Sequence, residues 1–195
     1  MFYPIRTIII QDAEVDDQNS LRHILLYANE IEIQGIVQTS SIFHWKGQPG
    51  KIGPSDKADY DQPYRWTGTK WMQEVMDDYT VDYKHLVTHD SNYPSPDYLR
   101  SLIQIGNIGY PGEMDSSTPG SELIKERILD EDPRPLYIQV WGGTNTIARA
   151  LYDIEQEYKE NENWLSIKEK IENKVILTAC GEQDDTYQNY ISEVY

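Results

Sequence analysis

The sequence has little cysteine, little phenylalanine and little positive charge. Its single cysteine, Cys180, excludes an intrachain disulfide. Its 33 acidic residues outnumber 17 basic ones, and the formal net charge of −16 repels phosphate backbones, so no nucleic-acid partner is expected. No run of about 18 apolar residues occurs, and no membrane span is expected. The 15 tyrosines present flat faces that suit either sugar rings or half-buried surfaces.

Length and patterning predict one domain over residues 1–195, since a domain usually takes roughly 100–200 residues. Apolar runs alternate with amphipathic segments, and the runs are apolar throughout, as in parallel strands covered on both faces. Four strands are predicted, at Ile5–Ile10, Ile31–Val37, Leu136–Val140 and Val175–Ala179. Helices are predicted at Asp17–Asn29, Thr67–Tyr79, Tyr83–His89, Ser95–Ile105, Ser121–Leu129, Thr144–Tyr158 and Trp164–Glu172, with another beginning at Tyr187. The fold class is therefore α/β, an open, mainly parallel sheet with helices on both faces, Rossmann-like.

Acidic residues concentrate directly after the first predicted strand. Asp12, Glu14, Asp16 and Asp17 place four carboxylates within six residues. Ligands of open parallel sheets bind beyond the carboxyl ends of the strands, where clustered carboxylates repel one another unless a cation neutralises them. Hard oxygen ligands favour Ca²⁺, with Mg²⁺ as the alternative. The competing interpretation is that Asp16 and Asp17 only stabilise a helix N-terminus.

The end of the third predicted strand leads into a Gly-Gly turn. Gly142-Gly143 is either a tight turn, with Thr144 or Asn145 capping the next helix, or a site of close backbone approach. In the second case a carbonyl at Val140 or Trp141 would face the cleft. The Trp141 ring is either a platform for a sugar or part of the core.

Other polar residues give weaker signals. Gln183 and Asp184 follow the fourth predicted strand. His44, His85 and His89 lack the spacing of a metal site and are interpreted as structural or solvated. A loop rich in Gly and Pro spans residues 40–66, and loops of that length are usually functional or mobile.

Two segments resemble the nucleoside hydrolase family. Ile8–Asp17 is similar to its signature, a strand followed by D-x-D-P-G-x-D-D, with Asp12, Asp16 and Asp17 on the third, seventh and eighth positions. Gly142–Ala148 is similar to the G-x-L-T-N-x-A turn of the family, one residue shorter. The likeness is closer to a mostly secreted bacterial branch described as cellulose-binding. The segments that carry it are 14–22, 25–30, 93–100 and 141–146.

The resemblance implies a Ca²⁺ ion held by Asp12, by both oxygens of Asp17 and by a carbonyl at Val140 or Trp141. It also implies that Asp12 is the general base, which accepts a proton from the water that attacks the anomeric carbon. Asp16 would accept hydrogen bonds from ribose hydroxyls. The compartment it implies is periplasmic or secreted.

Further substrate-binding candidates are Glu14, Trp141, Asn145, Gln183 and Asp184, of which Gln183 and Asp184 match the position of a sugar-binding loop. The last metal-binding Asp of the family has no counterpart in the chain, which is therefore expected to lack a C-terminal part of the domain. A missing C-terminal segment or a second copy is the expected partner.

Three functions are compatible with these residues. The first is a Ca-dependent hydrolase of N-glycosidic bonds, with a small-molecule sugar or nucleoside as ligand. The second is a non-catalytic carbohydrate-binding module. The third is a Mg-dependent phosphatase of the haloacid dehalogenase type, which Asp12–Val15 and Asp184-Asp185 faintly imitate.

Overall fold

The structure is a computed structural model that describes residues 4–54 and 59–195, so part of the loop predicted over residues 40–66 lies outside the described residues. Five parallel strands form one sheet in the order β3-β2-β1-β4-β5. They are β1 (Ile5–Gln11), β2 (Ile31–Gln38), β3 (Ile103–Ile105), β4 (Leu136–Val140) and β5 (Val175–Ala179). The chain runs outward from β1 to β3 and then crosses to the other side of β1. Strand order therefore reverses between β1 and β4.

Helices cover both faces of the sheet. They are α1 (Val15–Leu25), α2 (Trp71–His89), α3 (Pro96–Ser101), α4 (Pro119–Leu129), α5 (Asn145–Tyr158), α6 (Trp164–Lys174) and, after a π-helical turn at Tyr187–Ile191, α7 (Ser192–Val194). Buried residues of α1, α2 and α3 pack on one face, and those of α4, α5 and α6 pack on the other. In β1, Ile9 points into the first core while Ile8 and Ile10 point into the second. The predicted α/β fold class is confirmed.

A bulge adjusts the pairing of β1 with β2. Thr7 pairs with Ile33 but Ile8 pairs with Gly35, so β2 carries one extra residue at this point. A Cβ atom on Gly35 would lie 2.6 Å from Leu123 Cδ2, so glycine lets α4 pack closely against β2.

Three predicted elements are wrong in their bounds. The helix expected over Ser95–Ile105 ends at Ser101, and Ile103–Ile105 forms β3, which raises the number of strands within the described residues to five. A strand of three residues is too short to show an alternating or continuous apolar pattern. The two helices expected between 67 and 89 are the single helix α2. The helix predicted to begin at Tyr187 is present, as the π-helical turn Tyr187–Ile191 followed by α7.

The edge strand β5 is partly open to solvent. Ile176 keeps 39% of its surface exposed, and Tyr187, just beyond the strand, keeps 43%.

Within residues 4–54 and 59–195, no helix combines the length and apolarity that crossing a membrane requires.

Candidate metal and sugar site

The reversal of strand order brings the ends of β1 and β4 together. In open parallel sheets this position forms a crevice at the carboxyl edge. Asp12 follows β1, and a Cβ atom on Gly142 would lie 2.8 Å from Asp12 Cβ and 3.1 Å from the Asp12 nitrogen. Glycine at position 142 thus permits the close approach, and the acidic segment meets the Gly-Gly turn as the sequence predicts.

Short-range hydrogen bonds fold the acidic segment around Asp12. The Asp12 amide donates to Asp17 Oδ2 at 2.9 Å, and the Glu14 amide donates to Asp12 Oδ1 at 3.0 Å. Between them Ala13 has a φ of 75°, and its amide donates to Gln11 Oε1 at 2.8 Å. This left-handed residue turns the chain sharply at the end of β1. The turn places two carboxylates side by side at the start of α1.

Asp12 and Asp17 are both buried, whereas Asp16 is exposed. Burial, followed by the side-chain hydrogen bond and the charge repulsion with Asp12, raises the pKa of Asp17 from 3.8 to about 8. The Asp12 amide opposes this shift by donating to the carboxylate. A cation at this position would offset the repulsion between the two carboxylates and stabilise their ionised forms.

His44 approaches the same carboxylates from the loop after β2. Its amide and that of Phe43 donate to Ser41 Oγ, and this tight turn aims the imidazole inward. His44 Nδ1 lies 3.8 Å from Asp12 Oδ2 and 3.8 Å from Glu14 Oε2. The residue is 5% exposed, and its Nδ1 has no hydrogen-bond partner within the described ranges.

From the sequence, His44 is expected to be structural or solvated, but it lies in a cluster with Asp12 and Glu14. One ligand atom of each lies within 4.8 Å of the others. Spacing along the chain carries no sign of this cluster. The only available signal is the adjacency of β1 and β2, which brings their carboxyl ends together.

A cleft of about 470 Å³ opens beside the carboxylates. Its lining residues are Glu14, Asp16, Asp17, Ser20, Phe43, Trp141, Cys180 and Gln183. Gln183 Nε2 donates to the Trp141 carbonyl at 2.7 Å, while Gln183 Oε1 is buried with no partner in the part of the chain that the structure describes. The Val140 carbonyl accepts from the Cys180 amide at 2.8 Å. Paired carboxylates and a free amide oxygen are donors that fit a hard divalent cation.

Asn145 and Asp184 lie behind the Gly-Gly turn rather than in the cleft. Asp184 Oδ2 accepts from the Asn145 amide at 2.9 Å, and Asp184 Oδ1 accepts from the Thr144 hydroxyl at 3.0 Å. Asp184 is therefore the cap of α5, and neither Thr144 nor Asn145 is the side-chain cap that the sequence offers. The side chain of Asn145 is fully buried, and its Nδ2 donates to Ser40 Oγ and to the Asn107 carbonyl.

The predicted site residues thus separate into two groups. Asp12, Asp17, Glu14, Asp16, Trp141 and Gln183 lie in or against the cleft, with the Val140 carbonyl at the end of the adjacent strand. Asn145 and Asp184 hold the turn that supports it. Their substrate-binding and metal-binding roles remain predictions.

Comparisons with known proteins identify the family. Residues 6–195 match the family described as "Cellulose-binding Sde182, nucleoside hydrolase-like domain". A solved nucleoside hydrolase-related hypothetical protein from Saccharophagus degradans, described as associated with carbohydrate metabolism, is 26% identical with a TM-score of 0.74. That match covers 94% of this chain and 40% of the Saccharophagus chain.

A second solved structure is the inosine-uridine preferring nucleoside hydrolase from Bacillus anthracis. It is 16% identical with a TM-score of 0.39, and the match covers 90% of this chain and 50% of the Bacillus chain. No curated protein matches the sequence. The chain spans 40% of the length of its Saccharophagus relative. On the match over residues 6–195, the chain belongs to the nucleoside hydrolase-like domain family of the cellulose-binding Sde182 type.

Proposed function

We propose that this chain carries a divalent-metal site, with Ca²⁺ as the ion, at which the N-glycosidic bond of a nucleoside or related glycoside is hydrolysed. The observation that carries the proposal is the pair of buried carboxylates, Asp12 and Asp17, beside an open cleft at the carboxyl edge of the sheet. Two buried acids in contact are unfavourable when ionised, and such strain is typical of functional sites. Because the chain spans 40% of its Saccharophagus relative, the proposal concerns a site rather than the whole activity of that protein.

The chain's own residues have distinct roles in this proposal. Asp12 Oδ1 is held by the Glu14 amide, which leaves Oδ2 to accept a proton from the attacking water. Asp17 and Asp12 hold the ion, which when bound orients sugar hydroxyls and makes water a better nucleophile. Asp16 and Gln183 Oε1, which no described residue contacts by a hydrogen bond, accept hydrogen bonds from the sugar.

Hydrolysis is tested by incubating the chain with inosine and uridine and measuring the released base by liquid chromatography. Release is expected with Ca²⁺ and not after treatment with a chelator. Asp12→Asn keeps the acceptor for the Glu14 amide but removes the base, so activity should fall roughly 10²–10⁴-fold. Asp82→Asn, an exposed change on α2, is the matched control and should retain activity. Base release that Asp12→Asn leaves unchanged would refute the assigned role.

A second candidate is sugar binding without turnover. It is favoured by the aromatic side chains of Phe43 and Trp141 on the cleft wall and by the cellulose-binding description of the family. Sugar binding without turnover predicts that ribose or cello-oligosaccharides bind while no base is released from nucleosides. Saturation-transfer NMR with these sugars, together with the base-release assay, distinguishes this function from hydrolysis. The phosphatase alternative receives no support, since no Lys or Arg lines the cleft within the described ranges.

A further inference from the structure

We propose that Asp12, Glu14 and His44 form a site for a first-row transition-metal ion, with Zn²⁺ or Co²⁺ as representative occupants. Ca²⁺ takes oxygen ligands, whereas an imidazole nitrogen suits zinc and its neighbours. The inference requires neither hydrolysis nor sugar binding, and it shares only Asp12 with the proposed calcium site.

The imidazole of His44 has a buried nitrogen, Nδ1, with no hydrogen-bond partner among the described residues. A buried polar atom normally has a hydrogen-bond partner, because leaving it unsatisfied destabilises the folded state. His44 Nδ1 is buried and faces two carboxylate oxygens, both at 3.8 Å. That distance is too long for a hydrogen bond. The side chain is therefore aimed at a gap between acceptors rather than bonded to either of them.

The size of the gap between the three side chains suits a zinc ion. Half the separation of His44 Nδ1 from Asp12 Oδ2 is about 1.9 Å, just below the 2.0–2.2 Å of zinc–nitrogen and zinc–oxygen bonds. The same holds between His44 Nδ1 and Glu14 Oε2. An ion slightly off each line would reach both atoms, and all three ligand atoms lie within 4.8 Å of one another. Small side-chain rotations then complete a three-ligand site.

Backbone hydrogen bonds hold the proposed ligands in position. The Glu14 amide fixes Asp12 through Oδ1 and leaves Oδ2 toward His44. Ser41 Oγ accepts from the His44 amide at 3.2 Å, which fixes the turn that carries the imidazole. Supporting hydrogen bonds of this kind orient metal ligands. Glu14 also lines the cleft, so a fourth position would open toward a small ligand or water.

The test is metal binding by the full chain after removal of bound metal. Zn²⁺ affinity is measured by competition with a chromophoric chelator, and Co²⁺ is followed by its visible absorption. We expect one Zn²⁺ per chain, an affinity at least about 10-fold weaker in His44→Ala, and loss of the Co²⁺ bands in that variant. Ca²⁺ affinity should change less than about 2-fold, because the calcium site does not use the imidazole.

Adventitious binding has a specific control. His85 and His89 lie one turn apart on the exposed side of α2 and could themselves bind Zn²⁺, so each measurement is repeated in His85→Ala. Zn²⁺ binding that disappears in His85→Ala and persists in His44→Ala overturns the proposal. Should His44→Ala fail to fold, His44→Gln replaces it, and equal Zn²⁺ affinity in that variant and wild type also overturns the proposal. Zn²⁺ binding that requires His44, without base release from nucleosides, supports this site while contradicting the proposed hydrolysis.

Discussion

Replacing Asp17 by asparagine isolates the charge of the buried acid pair. The substitution retains an oxygen that accepts from the Asp12 amide, so the turn at the end of β1 should persist. Without metal, the wild-type protein should lose stability as pH rises from about 4 to about 8. The reason is that burial and the neighbouring Asp12 raise the pKa of Asp17 to about 8 in the folded state. The folded state then holds a proton that the unfolded state releases, and stability falls across that window.

The size of this stability loss follows from the shift in the pKa of Asp17. Each pKa unit corresponds to about 1.4 kcal/mol, so a rise from 3.8 to about 8 implies a loss on the order of 6 kcal/mol by pH 9. Asp17→Asn should remove most of this loss. A bound cation acts on the wild type in the opposite direction, adding about 2.7 kcal/mol at 100 times its dissociation constant. For a domain of this length that gain corresponds to roughly 5–10 °C in Tm.

The assay is thermal unfolding at pH 5, 7 and 9, with a chelator or with excess CaCl₂. Asp82→Asn, which removes an exposed carboxylate on α2, is the matched control and should behave as wild type in both series. Asp17→Asn should be the more stable protein at pH 9 without metal and should show no gain from Ca²⁺. An Asp17→Asn protein that is less stable than wild type without metal and still gains several degrees from Ca²⁺ would refute the reasoning.

Three further substitutions test the surroundings of the site. Gly142→Ala brings a Cβ atom 2.8 Å from Asp12 Cβ, so Ca²⁺ affinity measured by calorimetry should fall at least about 10-fold, and unchanged affinity contradicts this. Asp184→Ala removes the cap of α5 and should lower the free energy of unfolding in urea by about 2–4 kcal/mol, whereas a loss below about 0.5 kcal/mol would contradict the capping role. Gly35→Ala places a Cβ atom 2.6 Å from Leu123 Cδ2 and should cost about 1–3 kcal/mol in the same assay, with no effect on Ca²⁺ affinity.

The fold and part of the site are predictable because both follow from local patterns. Apolar runs such as Ile8–Ile10 need cover on both faces, and this dictates a parallel sheet with helices on each side. Once the strands are known, the rule that ligands bind at their carboxyl ends places Asp12 near Gly142. Carboxylates crowded directly after a strand are visible without any tertiary information.

The features that the sequence does not predict depend on contacts between segments that are distant along the chain. His44 reaches Asp12 only because β2 lies beside β1, and no spacing in the sequence reports that adjacency. Asp184 caps α5 from a loop 39 residues away, where the local sequence offers Thr144 and Asn145 as equally good caps. The strand Ile103–Ile105 has too few residues for a period and forms because β2 offers an edge to pair with.

The most direct test of the metal site is anomalous diffraction from crystals of the metal-stripped chain grown with Mn²⁺, an ion that accepts both carboxylate and imidazole ligands. The account predicts an anomalous peak within bonding distance of an Asp12 oxygen, at the carboxyl end of β1. Contacts from that peak to Asp17 would favour the calcium-type site, and contacts to Glu14 and His44 would favour the nitrogen-containing site. Peaks found only at surface positions such as His85 and His89, with none at Asp12, would contradict the account.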